Sequence, residues 1–180
     1  MENIIVIYQA LPYLLQGILT TLGLVLSALL LGFIIGVPLS IGQVYGPPWM
    51  KWISGVYVWF FRGLPILVLL FLFYYGLFSM IGLNLSAFIS AVLVLGLRSS
   101  AYQAQIFRGS IQSLGQGQLL AAQSLGMGKL EAIWSIVLPQ VLRMSIPGWS
   151  NEYPAMLTES AVTYAIGVME VLTRGNFIAS

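Results

Sequence analysis

The sequence predicts an all-α membrane protein, and two observations carry that prediction. Hydrophobic residues make up 59% of the 180 residues and charged residues only 7%, whereas soluble domains carry about 25% charged residues. Long apolar runs alternate with short breaks rich in Gly, Pro or polar residues, a pattern typical of helices that cross a bilayer. A chain of this length is expected to form one membrane domain over residues 1–180.

The composition also excludes several kinds of chemistry. The sequence contains no Asp, His or Cys, which removes most metal sites, the Ser-His-Asp and Cys-His nucleophile arrangements and all disulfides. It has no Gly-rich phosphate loop, and its net charge of +2 is too small to indicate nucleic acid as a partner. We therefore expect no catalytic residue, metal site or cofactor site in this chain, and any driving nucleotide would bind to another chain.

The first part of the chain contains one long apolar run. Residues 4–12 are predicted to approach the membrane along its surface, residues 13–41 to form the first span, and residues 42–51 to form a turn around Gly-Pro-Pro. The N-terminus lacks a basic start, and its apolar run exceeds a signal-peptide core, so we expect it to be retained. Small residues at which another helix can approach closely are distributed along the span: Gly17, Thr20, Thr21, Gly23, Ser27, Gly32 and Gly36.

The next segments are separated by Pro- and Gly-containing breaks. Residues 49–61 carry an aromatic band and are predicted to form a helix lying partly along the interface. Arg62-Gly63-Leu64-Pro65 then interrupts the pattern, and residues 66–80 form a short second span. Ser86 is expected to cap the third span, residues 87–111, because its hydroxyl can accept from a free backbone N–H group.

The longest departure from membrane composition is residues 115–151. Within it we define residues 115–137 as the polar elbow, predicted to contain two short helices separated by Gly126-Met127-Gly128. Leu138-Pro139-Gln140 is expected to open the next apolar segment, which continues to about residue 156. Residues 161–172 are too few to cross a bilayer alone and are predicted to be re-entrant.

The basic residues predict the orientation. Lys51 falls in the first turn, while Arg108, Lys129 and Arg143 fall in or beside the third connection. Alternating spans put these two connections on the same side, and Lys and Arg in short loops favour the cytoplasm. We therefore expect an extracytoplasmic N-terminus and a cytoplasmic elbow.

Three charged residues lie within the apolar segments, namely Arg98, Glu152 and Glu159. A charge at membrane depth must face protein or water, and two interpretations are equally weighted. The charges line a cavity that receives a charged or zwitterionic solute, or Arg98 pairs with a Glu and holds two helices together. Tyr102, Gln103 and Asn151 could add hydrogen bonds, although helix packing is the more usual role for such residues.

The elbow resembles the Glu-Ala-Ala loop of ABC importer permeases. That pattern has Glu-Ala-Ala, three residues, Gly, nine residues, Ile, one residue and Leu-Pro. This sequence matches it at Ala121, Ala122, Gly126, Ile136 and the pair Leu138-Pro139. Leu120 stands where the pattern has Glu.

Other stretches are similar to the polar amino acid permeases of that class. They are Leu15 to Leu22, Phe61 to Pro65, Ile106 to Gly109, Leu142-Arg143 through Ile146-Pro147, and Ser150 to Glu152. The resemblance implies a MetI-like ABC importer permease core with about five spans, the last one following residues 176–180. It also implies uptake of a polar or charged amino acid across a prokaryotic cytoplasmic membrane.

The same resemblance implies partners and site residues. The partners are a second permease subunit, identical or homologous, two ATPase subunits that hold ATP and Mg, and an extracytoplasmic binding protein that delivers the amino acid. The implied coupling residues within the elbow are Ala121, Ala122, Ser124, Leu125, Gly126, Met127 and Gly128. The implied substrate-binding residues are Arg98, Tyr102, Asn151, Glu152 and Glu159, although Arg98 stands where such permeases usually have a small polar residue or Asn.

Two other functions are compatible with the composition. One is an ion-gradient-driven secondary transporter or channel subunit, which usually shows inverted repeats and broken helices in both halves; the sequence shows no convincing internal repeat. The other is a purely structural membrane subunit.

Overall fold

The computed structural model describes the backbone of residues 2–179 and the side chains of residues 10–178. Every regular element in that part of the chain is helical, as predicted. Two helices are long and apolar enough to cross a membrane, or four if each of two bent helix pairs counts as one span. The α-helices are α1 (Glu2–Tyr45), α2 (Pro48–Gly63), α3 (Ile66–Met80), α4 (Ala87–Leu114), α5 (Gly117–Ser124), α6 (Lys129–Ala132), α7 (Leu138–Ser150), α8 (Glu152–Ser160) and α9 (Val171–Ala179).

Helices α1 and α4 run parallel and form the centre of the bundle. A Cβ atom on Gly32 would lie 2.5 Å from the Gln103 amide nitrogen, and one on Gly36 would lie 3.0 Å from the Ser100 carbonyl oxygen. On α4, Gly96 gives the same close approach to Leu31. In lipid, helices associate through such close packing rather than the hydrophobic effect. The predicted role of small residues is therefore confirmed along this contact.

The first turn is shorter than predicted. Helix α1 is continuous from Glu2 through Pro12 to Tyr45, so residues 4–12 are not a separate segment and residues 42–45 are still helical. Ile41, Val44 and Tyr45 pack against the elbow, which explains why the helix continues past Gly42. The turn is only Gly46-Pro47, because Pro48 occupies the first position of α2, where a missing N–H costs nothing.

The second break has the predicted position. Helices α2 and α3 meet at an angle of 108° around residues 64 and 65. Helix α3 covers the predicted residues 66–80 and contains a π-helical turn at Leu72–Leu77. Ser86 caps α4 as predicted, since its hydroxyl oxygen accepts from the Ile89 N–H at 3.3 Å.

Helix α7 returns antiparallel along α4. The Ser145 hydroxyl donates to the Ser110 hydroxyl at 2.8 Å, and Gly148 lies against Ile106. The apolar segment predicted to open at Leu138-Pro139-Gln140 corresponds to α7, although helical backbone already extends from Lys129. A π-helical turn at Ile133–Val137 ends two residues before Pro139, which cannot donate to the carbonyl four residues before it.

The final segment, predicted to be re-entrant, is broken by a bend. Helix α8 continues into a 3-10 turn at Ala161–Ile166, which ends at Gly167 with φ of 93°. The chain then bends by 64° into α9, a geometry that fits a broken span or a re-entrant segment. Helix α9 packs near the start of α1, where the Val171 N–H donates to the Thr21 hydroxyl at 3.1 Å.

Candidate functional site

Arg98 and Glu159 form a bidentate ion pair between α4 and α8. The Nε atom of Arg98 lies 2.9 and 3.0 Å from the two carboxylate oxygens, and Nη2 lies 2.9 Å from Oε1. The side chains are 11% and 22% exposed, respectively. This is the one ion pair among the described side chains. The Arg–Glu pair that the sequence left as one of two alternatives is therefore present.

The remaining donors of Arg98 close the break between α2 and α3. Nη1 donates to the carbonyl oxygens of Phe61 and Leu64 at 3.1 and 3.0 Å, and Nη2 donates to the Tyr102 hydroxyl at 3.3 Å. The Phe61 carbonyl would ordinarily accept from the residue four positions later, but that residue is Pro65, which has no N–H. Arg98 thus satisfies a carbonyl that the proline leaves open, and all five of its N–H donors are used within the chain.

Glu152 lies on the same side of α4. It is 7% exposed, and the Ser99 hydroxyl donates to its Oε1 at 2.9 Å. Its partner Ser99 directly follows Arg98 on α4, so the Glu152 carboxyl group is held at the same part of that helix. The structure therefore brings Glu152 and Glu159 to one part of α4.

Arg62 is the member of this group that the sequence prediction missed. Its guanidinium carbon lies 4.9 Å from the centre of the Tyr102 ring, and that of Arg98 lies 5.1 Å from the same centre. The missed signal was a charged residue placed directly at the break between two apolar helices. We refer to Arg62, Arg98, Tyr102, Glu152 and Glu159 as the charge cluster.

The cluster lies near the middle of the bundle. Helix α4 has 28 residues, a length of about 42 Å at 1.5 Å per residue, and Arg98 and Tyr102 stand close to its midpoint. Charged groups at that depth must face protein or a water-filled cavity rather than lipid.

Asn151 and Gln103 have different surroundings. Asn151 is exposed at the junction of α7 and α8, and no side-chain bond caps α8 there. Gln103 is fully buried: its amide group donates to the Leu29 carbonyl at 3.0 Å and accepts from the Trp149 indole at 2.8 Å. Gln103 therefore joins α1, α4 and α7, which is the packing role that the sequence favoured for it.

The elbow contains the predicted two short helices and the predicted break. Helix α5 ends at Ser124 and is followed by Gly126, whose φ of 89° favours glycine. The Gly126 N–H donates to the Gln123 carbonyl and the Met127 N–H donates to the Ala122 carbonyl, which is the pair of bonds of a Schellman motif. The loop pattern therefore has glycine at this position because the backbone there adopts a positive φ.

The two faces of the elbow differ. Leu119 and Ala122 are buried against Ala132, Ile133 and Val137, so the elbow has its own small core. The exposed residues of the elbow include three leucines, which are 56%, 86% and 70% exposed at Leu120, Leu125 and Leu130. Of the predicted coupling residues, Ala121, Ser124, Leu125, Gly126 and Gly128 are exposed, Met127 is partly buried and Ala122 is buried.

The elbow also contacts the end of α1. The Lys129 ammonium group donates to the Tyr45 carbonyl at 2.9 Å, where it caps a helix that has no basic residue in its own last turn. Parallel α1 and α4 thus place the first turn and the elbow at the same end of the bundle. The predicted orientation depends on the first turn and the elbow lying on the same side of the membrane, and the structure agrees with this.

Comparison with known proteins identifies the family. Residues 34–179 match the model of the binding-protein-dependent transport system inner membrane component. The chain is 37% identical over 174 residues to the probable amino-acid permease protein YxeN of Bacillus subtilis, covering 96% of this chain and 78% of that protein. It is 34% identical to the L-cystine transport system permease protein TcyL of the same organism, covering 91% of this chain and 71% of TcyL.

Solved structures show the same fold. A crystal structure of an amino acid ABC transporter with histidines matches with a TM-score of 0.81 and 34% identity, over 96% of this chain and 80% of that one. An inward-facing structure of the MetNI methionine ABC transporter matches with a TM-score of 0.76 over 91% of this chain and 78% of that one; at 19% identity this likeness concerns the fold alone. The chain therefore belongs to the inner-membrane components of binding-protein-dependent transport systems, among the amino-acid ABC transporter permeases.

Proposed function

We propose that this chain is a membrane-embedded subunit of an ATP-driven importer for a polar or charged amino acid. The single observation that carries the proposal is the charge cluster near the middle of the bundle, in a chain that belongs to the amino-acid ABC permeases. A bilayer tolerates such charges only beside protein or water. Relatives include permease proteins of L-cystine, arginine and octopine transport systems.

The proposed substrate-binding residues are Arg98, Tyr102, Asn151, Glu152 and Glu159. Tyr102 within the cluster and Asn151, which precedes Glu152 in the chain, have hydrogen-bonding groups. Glu152 and Glu159 offer carboxylates to an ammonium or guanidinium group. Arg98 contributes differently, because its donors are occupied: it holds Glu159 and the α2–α3 break in place. Asn151 is exposed, and Glu159 keeps part of its surface open.

The proposed partners follow from the family and from the two exposed features of the chain. A second permease subunit, identical or homologous, would cover the exposed side of the charge cluster. Two ATPase subunits would hold ATP and Mg, since the sequence has no phosphate-binding loop. An extracytoplasmic binding protein would deliver the amino acid. The N-terminus of α1 would then face outward and the elbow would face the cytoplasm, in keeping with the basic residues at the elbow end.

The elbow is proposed to transmit the motion of the ATPase. Its exposed leucines offer an apolar surface to an ATPase groove, while its own core keeps α5 and α6 together as one unit. Its contacts reach three spans, because it is covalently joined to α4 and α7 and bonded through Lys129 to α1. Closure of the ATPase pair can favour one conformation only through contacts that differ between conformations.

Reconstitution tests the proposed function. Purified permease, ATPase and binding protein are placed in proteoliposomes, and uptake of labelled L-cystine, L-arginine and L-glutamine is followed with and without ATP. We expect uptake of at least one polar amino acid that requires ATP and all three components. Uptake driven by an ion gradient without the ATPase would instead identify a secondary transporter. Failure of the permease to change uptake would identify a structural subunit.

A further inference from the structure

The charge cluster contains two guanidinium groups, which differ in how many of their N–H donors are bonded within the chain. Arg98 has its N–H donors directed at Glu159, at the two carbonyls of the α2–α3 break and at Tyr102. A solute carboxylate could bind to Arg98 only if one of these bonds were broken. Breaking the bidentate pair would leave the Glu159 carboxylate without its cation, which is costly inside a protein.

Arg62 has no such constraint. Its side chain is exposed, and its described contact is the stacking of its guanidinium on the Tyr102 ring. The described residues include no hydrogen bond or ion pair of Arg62 to an acidic side chain. A cation–π contact uses the charge of the guanidinium rather than its N–H groups as hydrogen-bond donors, and those N–H groups can bind a carboxylate with two parallel hydrogen bonds.

The position of Arg62 adds a second argument. Gly63 and Pro65 end α2 beside Arg98 and Tyr102, near the middle of α4, so Arg62 lies at the same height as the cluster. An exposed guanidinium at that height cannot face lipid and must face water, solute or a protein neighbour. Arg98 is paired with Glu159, and no described acidic side chain forms an ion pair with Arg62, so the N–H groups of Arg62 remain open to an anion.

We propose that Arg62 binds the carboxylate of the transported amino acid. This inference rests on the proposed function and adds to it the residue that recognises the carboxylate, a group shared by all amino acids. Tyr102 positions the guanidinium through the contact with its ring. Arg62 therefore recognises the common part of the substrate, and the other residues of the cluster are left to distinguish side chains.

The test is equilibrium binding to the assembled permease–ATPase complex in nanodiscs, without the binding protein. The probes are the amino acid that the uptake assay identifies and its carboxamide, which lacks the negative charge. We expect Arg62→Gln to weaken binding of the amino acid on the order of 10- to 100-fold and to leave binding of the carboxamide unchanged. Arg62→Lys retains the charge but loses the bidentate geometry, so it should give an intermediate loss.

Arg143→Gln is the matched control, because Arg143 is an exposed arginine of α7 with no described bond. It should change neither affinity, and the unfolding temperatures of all variants should agree. The proposal is wrong if Arg62→Gln weakens both probes equally, if it changes neither, or if the parental complex binds no amino acid at millimolar concentration. An intersubunit ion pair of Arg62 would give one of the first two results. Failure of the proposed function would be distinguishable from failure of this proposal, because the parental complex would then show no ATP-dependent uptake.

Discussion

The charge cluster and the elbow expose opposite kinds of side chain. In the cluster, most polar groups form hydrogen bonds or ion pairs within the chain, and the exposed group is a cation, Arg62. In the elbow, small apolar residues are buried, and the exposed groups include Leu120, Leu125 and Leu130. Each region thus exposes what its surroundings should disfavour: a charge near the middle of a membrane protein, and leucines on the segment expected in water.

This contrast indicates where partners bind. An exposed charge at membrane depth requires water, solute or protein, and clustered exposed leucines on a soluble segment indicate a protein partner. The same chain therefore has one surface suited to a polar solute and another suited to an apolar groove. Four predictions test this contrast, from the largest expected effect to the smallest.

Removing one partner of the buried ion pair should have the largest effect. Glu159→Leu leaves Arg98 without its carboxylate, and loss of one partner of a buried pair costs about 3–5 kcal/mol. We expect poor yield and a strongly lowered unfolding temperature in detergent or nanodiscs. The double variant Arg98→Met/Glu159→Leu should recover part of the loss, although the Phe61 carbonyl stays unsatisfied. Equal stability of the single variant and the parent would show that the pair does not hold α4 and α8 together.

A charge on the apolar face of the elbow should disrupt ATPase association. Leu125 is 86% exposed, so Leu125→Glu should fold normally and yet weaken the complex by about 2 kcal/mol or more, as at a central interface residue. Co-purification of the ATPase with tagged permease measures this. Gln118→Glu, at an exposed position of α5 in the same elbow, adds the same charge and should have a smaller effect. If both variants retain the ATPase equally, the leucine face is not the docking surface.

Enlarging a glycine between α1 and α4 should destabilise the contact between α1 and α4, the helix that carries Arg98 and Tyr102. Gly32→Val places atoms within 3 Å of Gln103 and Ser99, and overpacking of this kind costs about 1–3 kcal/mol. Gly23→Ala is the matched control, because its added methyl group would meet Phe88 at an ordinary 3.7 Å. Thermal unfolding should separate the two, and a Gly32→Val protein as stable as Gly23→Ala would contradict the close packing.

The smallest effect is expected at the contact between the elbow and α1. Lys129→Met removes the bond to the Tyr45 carbonyl, and a basic group at a helix C-terminus contributes about 0.3–1 kcal/mol. Lys129→Arg should restore it. The measurement is thermal unfolding together with the number of ATP molecules hydrolysed per amino acid transported. If this contact transmits motion, Lys129→Met should raise that ratio; an unchanged ratio would limit Lys129 to a helix cap.

Much of the fold was predictable because its signals are local. The α2–α3 break, the Ser86 cap and the glycine break in the elbow each depend on a few neighbouring residues with strong backbone preferences. Prediction was wrong where long-range packing overrode such preferences. Contacts with the elbow extend α1 past Gly42, where the sequence predicted a turn.

The candidate site was predictable in its residue types but not in its pairing. Arg98, Glu152 and Glu159 stand out as charges in apolar segments, yet their spacing leaves open which of them bond to each other. The sequence also gave no reason to place Arg62 beside Tyr102, 40 positions later. That proximity depends on the 108° bend between α2 and α3, which no local pattern specifies.

The sequence by itself determined the all-α membrane class, the positions of most breaks and the elbow, because hydrophobic length and Gly or Pro placement act within a few residues. Only the tertiary structure decided which guanidinium is bound and which is free. Arg98 meets Glu159 and Phe61, which are 61 and 37 residues away along the chain, and such contacts form only when separate helices pack. The physical reason is that a charge in a membrane protein takes its partners from the helices around it rather than from its neighbours in sequence.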